Sequence, residues 1–311
     1  MVAINYSIIL AFLSIYYPII QNDEGKILSI ILILVARMPC KNYTISTTDP
    51  SLVDYCRLGR GSHLRVVFSF IGKGMRTIVY IDGFNFYYGR LKITSYKWLD
   101  LFKLFDEQLI GTIAPESELL TVKFFTADIK AKFSRLGKTS ETAQKIYHNA
   151  LLAYTGNVEI IKGYYSVERS KPLRYKTPPD KSDTVEAWKL EEKQTDVNMA
   201  LSLYHDVVTN SCDQVVICTN DTDLVPALKL IKEHHEHIKI GSIIPRPKLS
   251  SRPASQSIID LSDWSRRYIT DSELAVCQLP DTVLKPNGRG VYRKPDHWNA
   301  SLEESFPTID N

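Results

Sequence analysis

Several features that would place this chain in a common class are missing from its sequence. It has five cysteines in 311 residues and no CxxC pair, so neither a disulfide scaffold nor a zinc ribbon is indicated. Its 14 glycines and 15 prolines are too few for a collagenous or low-complexity chain. No G-x-G-x-x-G motif follows a predicted strand, which argues against a conventional nicotinamide or flavin site. We therefore expect a globular protein with reduced thiols and a cytoplasmic location.

Residues 75–311 also lack an excess of either positive or negative charge. The formal net charge is +3. Residues 1–74 hold seven Lys/Arg and four Asp/Glu, so the rest of the chain carries 31 residues of each sign. Overall charge therefore gives no argument for nucleic-acid binding, and any such argument must come from local patches.

The first 74 residues lack the patterns of a membrane span and of a secretory signal. Their two apolar stretches, 8–20 and 27–36, are shorter than the roughly 20 residues that span a bilayer. The first 20 residues contain no Lys or Arg, whereas a secretory signal begins with a basic region. We expect residues 1–74 to lie outside the working fold, the native protein to begin at Met75, and no stable membrane association. A membrane-associating leader is the alternative.

From residue 75 onward, short apolar runs alternate with longer amphipathic ones, which is typical of βαβ units. The predicted strands are 77–81, 120–126, 158–163, 214–218 and 239–244, with a last short one at 257–261. The predicted helices are 98–109, 139–153, 195–208 and 223–233. Continuous apolar strands such as 214–218 are typical of buried parallel sheets. We expect an α/β fold with a mostly parallel sheet and helices on both faces.

Three stretches break this rhythm. Residues 164–193 and 245–256 are rich in proline and lack a clear period, so we interpret both as loops. The tail after Pro280 is expected to be weakly ordered. The sequence thus predicts a leader (1–74), a main domain (75–270) and a C-terminal extension (271–311).

Four aspartates fall where the topology would gather them. Asp82 follows the first strand, Asp221 and Asp223 follow the strand that ends at Cys218, and Asp196 opens a helix. Each alone could be a turn or cap residue. Several acids at one sheet edge would repel one another unless a cation lay among them. Hard oxygen donors select Mg²⁺ or Mn²⁺.

The segments around these aspartates resemble the three motifs of the NYN domain, a family similar to PIN-domain nucleases. The segments are 81–87 (IDGFNFY), 193–198 (KQTDVN) and 219–226 (TNDTDLVP), and the resemblance extends over about 77–263. It implies a PIN-like three-layer α/β/α sandwich and metal-dependent RNA cleavage. The implied metal ligands and catalytic residues are Asp82, Asp196, Asp221 and Asp223, with Asn85 and Thr219 beside them. Thr219 and Asn220 replace the more usual Ser and Gly, a change that keeps the hydroxyl.

Residues 162–181 form a basic segment, and this segment is predicted to bind RNA. Residues 162–181 hold six basic residues and three interleaved tyrosines, a combination that suits single-stranded nucleic acid. The candidate substrate-binding residues are Asn85, Lys171, Arg174, Lys176, Lys193 and Thr219. A solvated loop, and an exposed lysine at position 193, are the structural alternatives.

These observations predict an enzyme, a Mg²⁺- or Mn²⁺-dependent ribonuclease in which a metal-bound water attacks the phosphodiester in line. Two alternatives stay open. One is a non-catalytic RNA-binding module, although a pure binder has no need to gather negative charge near phosphate. The other is an oxidoreductase of the pyridine-hydroxylase type, an activity also attributed to some NYN-domain proteins.

Overall fold

The computed structural model describes residues 74–299 and, before them, the backbone of strands β1 (Tyr43–Thr44), β2 (Tyr55–Leu58) and β3 (Ser62–Arg65). The chain divides into two compact units, Met1–Gly74 and Met75–Asn311. In the first unit, β1, β2 and β3 form an antiparallel sheet. The predictions made for residues 1–74 otherwise lie outside the described residues. Within the described part of the chain, no helix has both the length and the apolar character needed to cross a bilayer.

The second unit is built around a seven-stranded sheet with the strand order β10-β9-β8-β4-β5-β6-β7. The strands are β4 (Met75–Asp82), β5 (Ser117–Ala127), β6 (Val158–Ser170), β7 (Ala187–Lys193), β8 (Gln214–Cys218), β9 (Lys239–Ile243) and β10 (Trp264–Arg266). All neighbours pair in parallel except β6 and β7, which are antiparallel. The predicted α/β class with a mostly parallel sheet is confirmed, and the more specific PIN-like sandwich stays a prediction.

Helices connect these strands, and two of them begin as a short α-helix and continue as a π-helix. These two are α1 (Gly83–Phe86), continued over Tyr87–Leu91, and α2 (Leu101–Lys103), continued over Leu104–Ile110. The others are α3 (Lys138–Tyr154), α4 (Thr195–Val208), α5 (Val225–His234), α6 (Gln256–Leu261) and α7 (Asp271–Val276). Short 3₁₀ turns lie at Ala131–Phe133, Thr222–Leu224 and Asp296–Trp298.

Alternate residues of the central strands belong to two separate hydrophobic cores, one on each face of the sheet. Val79 and Ile81 of β4 belong to a core that includes residues of α2, α3 and α7. Ile78 and Tyr80 of the same strand belong to a core that includes residues of α4, α5 and α6. Because successive side chains of a strand point to opposite faces, the sheet is buried on both sides, as the continuous apolar runs indicated.

Several predicted boundaries agree with the structure, and two helices begin later than predicted. Strand 214–218 and helix 195–208 have the predicted limits. The helix predicted from residue 98 begins at Leu101 because the Asp100 side chain accepts a hydrogen bond from Lys103 N and so acts as the N-cap. The helix predicted from residue 223 begins as a 3₁₀ turn, which Asp221 caps.

The prediction of a strand at 257–261 is wrong. This segment is the helix α6, and the last strand of the sheet, β10, follows it. Ile258 is buried in the second core while its sequence neighbours remain accessible. Over six residues, a short apolar run looks the same whether it belongs to a helix or to a strand. Hydrophobic periodicity therefore could not distinguish a helix from a strand in this segment.

The prediction of a long loop at 164–193 is also wrong. β6 continues to Ser170, and β7 returns antiparallel to it, with Tyr164 opposite Lys193 and Ser170 opposite Ala187. We call residues 164–193 the hairpin arm. Its central connection, 171–186, contains the prolines that obscured the pattern. Much of the arm is exposed on both faces, so its strands do not contain the continuous apolar runs that identified the central strands in the sequence.

The residues after Pro280 were expected to be weakly ordered, and this is wrong for the described part. Strands β11 (Thr282–Leu284) and β12 (Val291–Arg293) pair with each other, and Val283 is buried in the first core. The Trp98 indole Nε1 donates a hydrogen bond to the Pro280 carbonyl at 2.8 Å. The proposed domain boundary at 270/271 stays a prediction, but residues 271–299 pack against the core that it would separate them from.

Candidate active site

Asp82 lies at the carboxyl end of β4 and is fixed by three hydrogen bonds. Its Oδ1 accepts from Asn85 N at 2.9 Å, and its Oδ2 accepts from Asn85 Nδ2 at 2.7 Å and from Thr219 Oγ1 at 2.8 Å. Asp82 as a whole residue is 3% exposed. Burial raises the pKa of Asp82, and these hydrogen bonds oppose that rise. The first and third motifs therefore meet at this side chain.

The third motif continues the same hydrogen-bonded chain. Thr219 follows β8, is completely buried, and its Oγ1 also accepts from Asp221 N at 3.0 Å. Asp221 Oδ1 in turn accepts from Asp223 N at 3.1 Å. Because β4 and β8 are parallel neighbours, their carboxyl ends lie at one edge of the sheet. Thr219 connects Asp82 to the backbone of Asp221 there.

Asp196 lies in the first turn of α4, next to these groups. Burial first, and then the negative charges of Asp82, Asp221, Glu192 and Asp223, raise the pKa of Asp196 from 3.8 to about 6. Gly163 of β6 allows this helix start to approach the sheet, since a Cβ there would collide with Lys193 O and Thr195 Oγ1. The four predicted aspartates thus lie within one electrostatic environment.

Glu192 is a fifth carboxylate of this site, and the sequence interpretation missed it. It lies on β7 opposite Tyr165. Burial raises the pKa of Glu192, and the charge of Asp82 adds to the rise. Its buried Oε1 has no hydrogen-bond partner among the described residues. The position of Glu192, four residues before Asp196, could have suggested it as a site residue. Because its segment was interpreted as a loop, the sequence did not indicate which way its side chain points.

The three segments that form this edge also match a known family in sequence. The sequence model of the NYN domain matches residues 76–262. The chain belongs to the NYN domain family. The NYN-domain chain is 40% identical over 246 residues to 6-hydroxy-3-succinoylpyridine 3-monooxygenase HspA from Pseudomonas putida (strain DSM 28022 / S16), a match that covers 74% of this chain and 77% of that relative.

A solved structure is also similar to this NYN-domain protein. It is a protein of unknown function, VPA0982, from Vibrio parahaemolyticus RIMD 2210633. The two chains are 17% identical, with a TM-score of 0.39, and the match covers 64% of this chain and 94% of the other.

The acidic edge of the NYN domain suits a hard divalent cation in its chemistry. Its donors are carboxylate and hydroxyl oxygens, and the partly buried Glu192 carboxylate, which Thr195 and Tyr165 also hydrogen-bond, adds further acceptor oxygens. No group of three or more His, Cys, Asp or Glu residues in the described part of the chain is arranged to hold a metal ion. Mg²⁺ commonly takes only one or two carboxylates and completes its shell with water and substrate phosphate. The residues present fit that mode of binding.

The basic residues predicted to contact RNA are paired with acids of the hairpin arm. Lys193 Nζ lies 2.5 Å from Glu191, and Lys171 Nζ lies 3.0 Å from Glu186. Arg174 and Lys176 both pair with Asp183, at 3.2 and 2.5 Å. These pairs reduce the positive charge that the arm presents to a phosphate. Contact between these four residues and RNA stays a prediction.

Exposed aromatic side chains lie directly beside the acidic edge. Phe84 and Tyr88 are 46% and 52% exposed, and their ring centroids lie 4.4 Å apart. Tyr87 packs edge-on against Tyr88, and Lys92 Nζ lies 4.9 Å from the Tyr88 ring centre. Phe84 is two residues from Asp82 in the chain. An exposed ring with a nearby cation can stack on a nucleobase or another flat aromatic ligand.

Proposed function

We propose that this NYN-domain protein is a metal-dependent ribonuclease that hydrolyses the phosphodiester backbone of RNA. The observation that carries the proposal is the chain of hydrogen bonds from Asn85 through Asp82 and Thr219 to Asp221. This chain of hydrogen bonds brings together carboxylates from separate segments at the carboxyl ends of parallel strands. Open α/β sheets bind their ligands at that edge.

Each residue has a distinct part in this proposal. One or two of the carboxylates of Asp82, Asp196, Asp221 and Asp223 would bind Mg²⁺ or Mn²⁺ directly, and the others, with Glu192, would bind the water molecules that complete its shell. When bound, such an ion makes a water more acidic and neutralises charge on the phosphodiester. Asn85 and Thr219 donate to Asp82 and so fix the direction of its carboxylate. Phe84 and Tyr88 would stack on a base next to the scissile bond.

The relative from Pseudomonas putida supports a second candidate, an oxygenase that acts on a hydroxylated pyridine. That protein is named a 6-hydroxy-3-succinoylpyridine 3-monooxygenase, and its match covers 74% of this chain. Phe84 and Tyr88 would also accept a flat pyridine ring. The oxygenase activity is tested by measuring oxygen consumption in the presence of this pyridine, with NADH or NADPH as reductant and with FAD or FMN. Uptake that depends on the pyridine would favour it over the ribonuclease.

The test of the ribonuclease is cleavage of labelled single-stranded RNA by the full chain with Mg²⁺, with Mn²⁺ and with chelator. We expect cleavage only with metal, and a loss of at least about 100-fold in Asp82→Asn and Asp221→Asn. Asp260→Asn, which changes an exposed aspartate on α6, is the matched control and should retain the wild-type rate. Circular dichroism and RNA binding verify that each variant is folded.

A near-normal rate in either site variant at saturating metal would remove that residue from the site. Equal cleavage with chelator and with metal would contradict the mechanism.

A further inference from the structure

We infer that four basic residues beside the acidic edge bind the phosphate backbone of RNA and guide it to the carboxylates. We call Arg246, Lys248, Arg252 and Arg267 the basic rim. The inference rests on the proposed ribonuclease function and names a surface that lies outside the three NYN motifs.

The rim lies on the same edge of the sheet as the carboxylates. Arg246, Lys248 and Arg252 follow β9, and Arg267 follows β10. β9 pairs in parallel with β8, and β10 pairs in parallel with β9. The loops after these strands therefore emerge at the edge where Thr219 and Asp221 follow β8.

Direct hydrogen bonds attach the rim loop to the third motif. Asn220 Nδ2 donates to the Pro253 carbonyl at 3.0 Å, and Ser255 N donates to Asn220 Oδ1 at 2.7 Å. Asn220 immediately precedes Asp221. The loop that carries Arg252 is thus bonded to the residue next to a candidate metal ligand.

The Arg246 side chain holds the rim together. Its Nε donates to the Arg267 carbonyl, and its Nη1 donates to the Arg252 carbonyl, both at 2.8 Å. Because these bonds use backbone oxygens, they leave the side chains of Arg252 and Arg267 exposed. Lys248 is also exposed, and its Nζ lies 5.8 Å from the Tyr268 ring centre.

The cations of the rim form no ion pairs within the described residues. Residues 245–256 contain three basic residues and no acid. Within residues 74–299, no ion pair involves Lys248, Arg252 or Arg267. The hairpin arm differs in this respect, because Lys171, Arg174 and Lys176 pair with its own acids.

A site that gathers carboxylates repels a polyanion, so a phosphodiester that reaches it needs positive charge nearby. Cations that neutralise phosphates release counterions, and this release supplies most non-specific affinity for nucleic acid. The rim provides unpaired cations beside the carboxylates, and Tyr268 provides a ring for base stacking. This combination favours a single-stranded RNA over an acidic protein as the occupant.

The test compares two triple variants of the full chain that each lose three positive charges. One is Lys248→Ala with Arg252→Ala and Arg267→Ala, which keeps the Arg246 bonds. The other is Lys171→Ala with Arg174→Ala and Lys176→Ala in the hairpin arm. Binding of a labelled single-stranded oligouridylate is measured over a range of salt concentrations with chelator present, so that no metal-dependent cleavage interferes. Melting temperatures verify folding.

We expect the rim variant to lower the salt slope of log affinity by about 2, at about 0.7 for each lost phosphate contact. The arm variant should change the slope by less than half of that. An unchanged slope in the rim variant, or a wild-type chain that binds no RNA, would overturn the inference. Binding of an acidic peptide that the rim variant loses, with RNA binding unchanged in that variant, would also overturn it.

These binding measurements, taken together with the cleavage assay in Mg²⁺ and Mn²⁺, separate this inference from the ribonuclease proposal. If the wild type does not cleave RNA with either metal while the rim variant loses slope, the ribonuclease proposal fails and the rim stands. If the wild type cleaves RNA and both triple variants keep its salt slope, the rim inference fails and the ribonuclease stands.

Discussion

Asp196 is the residue whose ionisation depends most clearly on the rest of the site. Its pKa rises from 3.8 to about 6 through burial and four neighbouring carboxylates. The folded chain therefore binds this proton more tightly than the unfolded chain does. The stability that Asp196 contributes is present below pH 3.8 and is lost as the pH rises through about 6. Because Asp196 is only partly buried, solvent screening limits the effect to about 1 kcal/mol.

Replacing Asp196 by Asn should therefore stabilise the metal-free protein only where the wild-type carboxylate is ionised. In chelator, we expect Asp196→Asn to melt about 2–4 °C above wild type at about pH 8 and to match it at about pH 3.5. Asp260→Asn, outside the site, should show no such pH-dependent difference. Thermal melts over this pH range measure it. A constant difference at every pH would mean that the neighbouring charges do not act on Asp196.

The element that carries Asp196 is itself fixed to the sheet by a buried charge. Asp206, near the end of α4, is 6% exposed. Its Oδ2 accepts from the Tyr80 hydroxyl of β4 and from Lys123 Nζ of β5, both at 2.6 Å. Burial, and then the charge of Asp206, raise the pKa of Tyr80 well above its ordinary value. One carboxylate thus joins a helix to two strands.

Removing this carboxylate should cost more than removing the whole ion pair. Asp206→Ala leaves the largely buried Lys123 without its ion-pair partner and with only its hydrogen bond to Ser202. We expect a loss of about 3 kcal/mol in the free energy of unfolding. The double variant Asp206→Ala with Lys123→Met carries no unpaired charge, so it should be more stable than Asp206→Ala. Urea unfolding of both single variants and the double variant measures the coupling. A double variant less stable than Asp206→Ala would contradict this account.

At the scale of the whole unit, the residues after 270 complete the first core. Leu274 and Val283 are buried in it. Backbone bonds connect this segment to the start of α2, since Asp100 N donates to Cys277 O and Leu279 N donates to Trp98 O, at 2.8 and 2.9 Å. Burying one Leu or Val side chain contributes about 1.5–3 kcal/mol. The matched family segment, residues 76–262, does not contain these residues.

A chain that ends at residue 270 should therefore be much less stable than one that ends at residue 299. We expect the shorter chain to lose several kcal/mol, because Trp98 and Leu99 become exposed. In addition, Trp98 Nε1 loses the Pro280 carbonyl and Asp100 N loses the Cys277 carbonyl. The chain that ends at 299 is the matched control, because it keeps all the contacts of residues 271–299 named above. Denaturant unfolding of the three chains decides it. Equal stability of the two shortened chains would support a separate extension after residue 270.

The amino-acid sequence alone was sufficient to predict the limits of a central strand and a helix, and to place Asp82 and Asp221 at one edge of the sheet. Their role as metal ligands stays a prediction. Residues 214–218 form a continuous apolar run, and residues 195–208 keep one helical period, so burial and periodicity predict their limits. Parallel strands end at the same edge of a sheet, so Asp82 and Asp221 could be placed together without coordinates. These features depend on local pattern and on one topological rule.

Only the tertiary structure decided which side chains face the acidic edge and which charges are free. Glu192 joins the site because β7 pairs with β6 in one register, and a shift of one residue would turn it to the opposite face. Lys176 pairs with Asp183. Arg252 precedes Pro253, whose carbonyl Asn220 binds, and has no ion pair among the described residues. Such pairings depend on distances between residues in space, and the order of residues in the chain does not contain those distances.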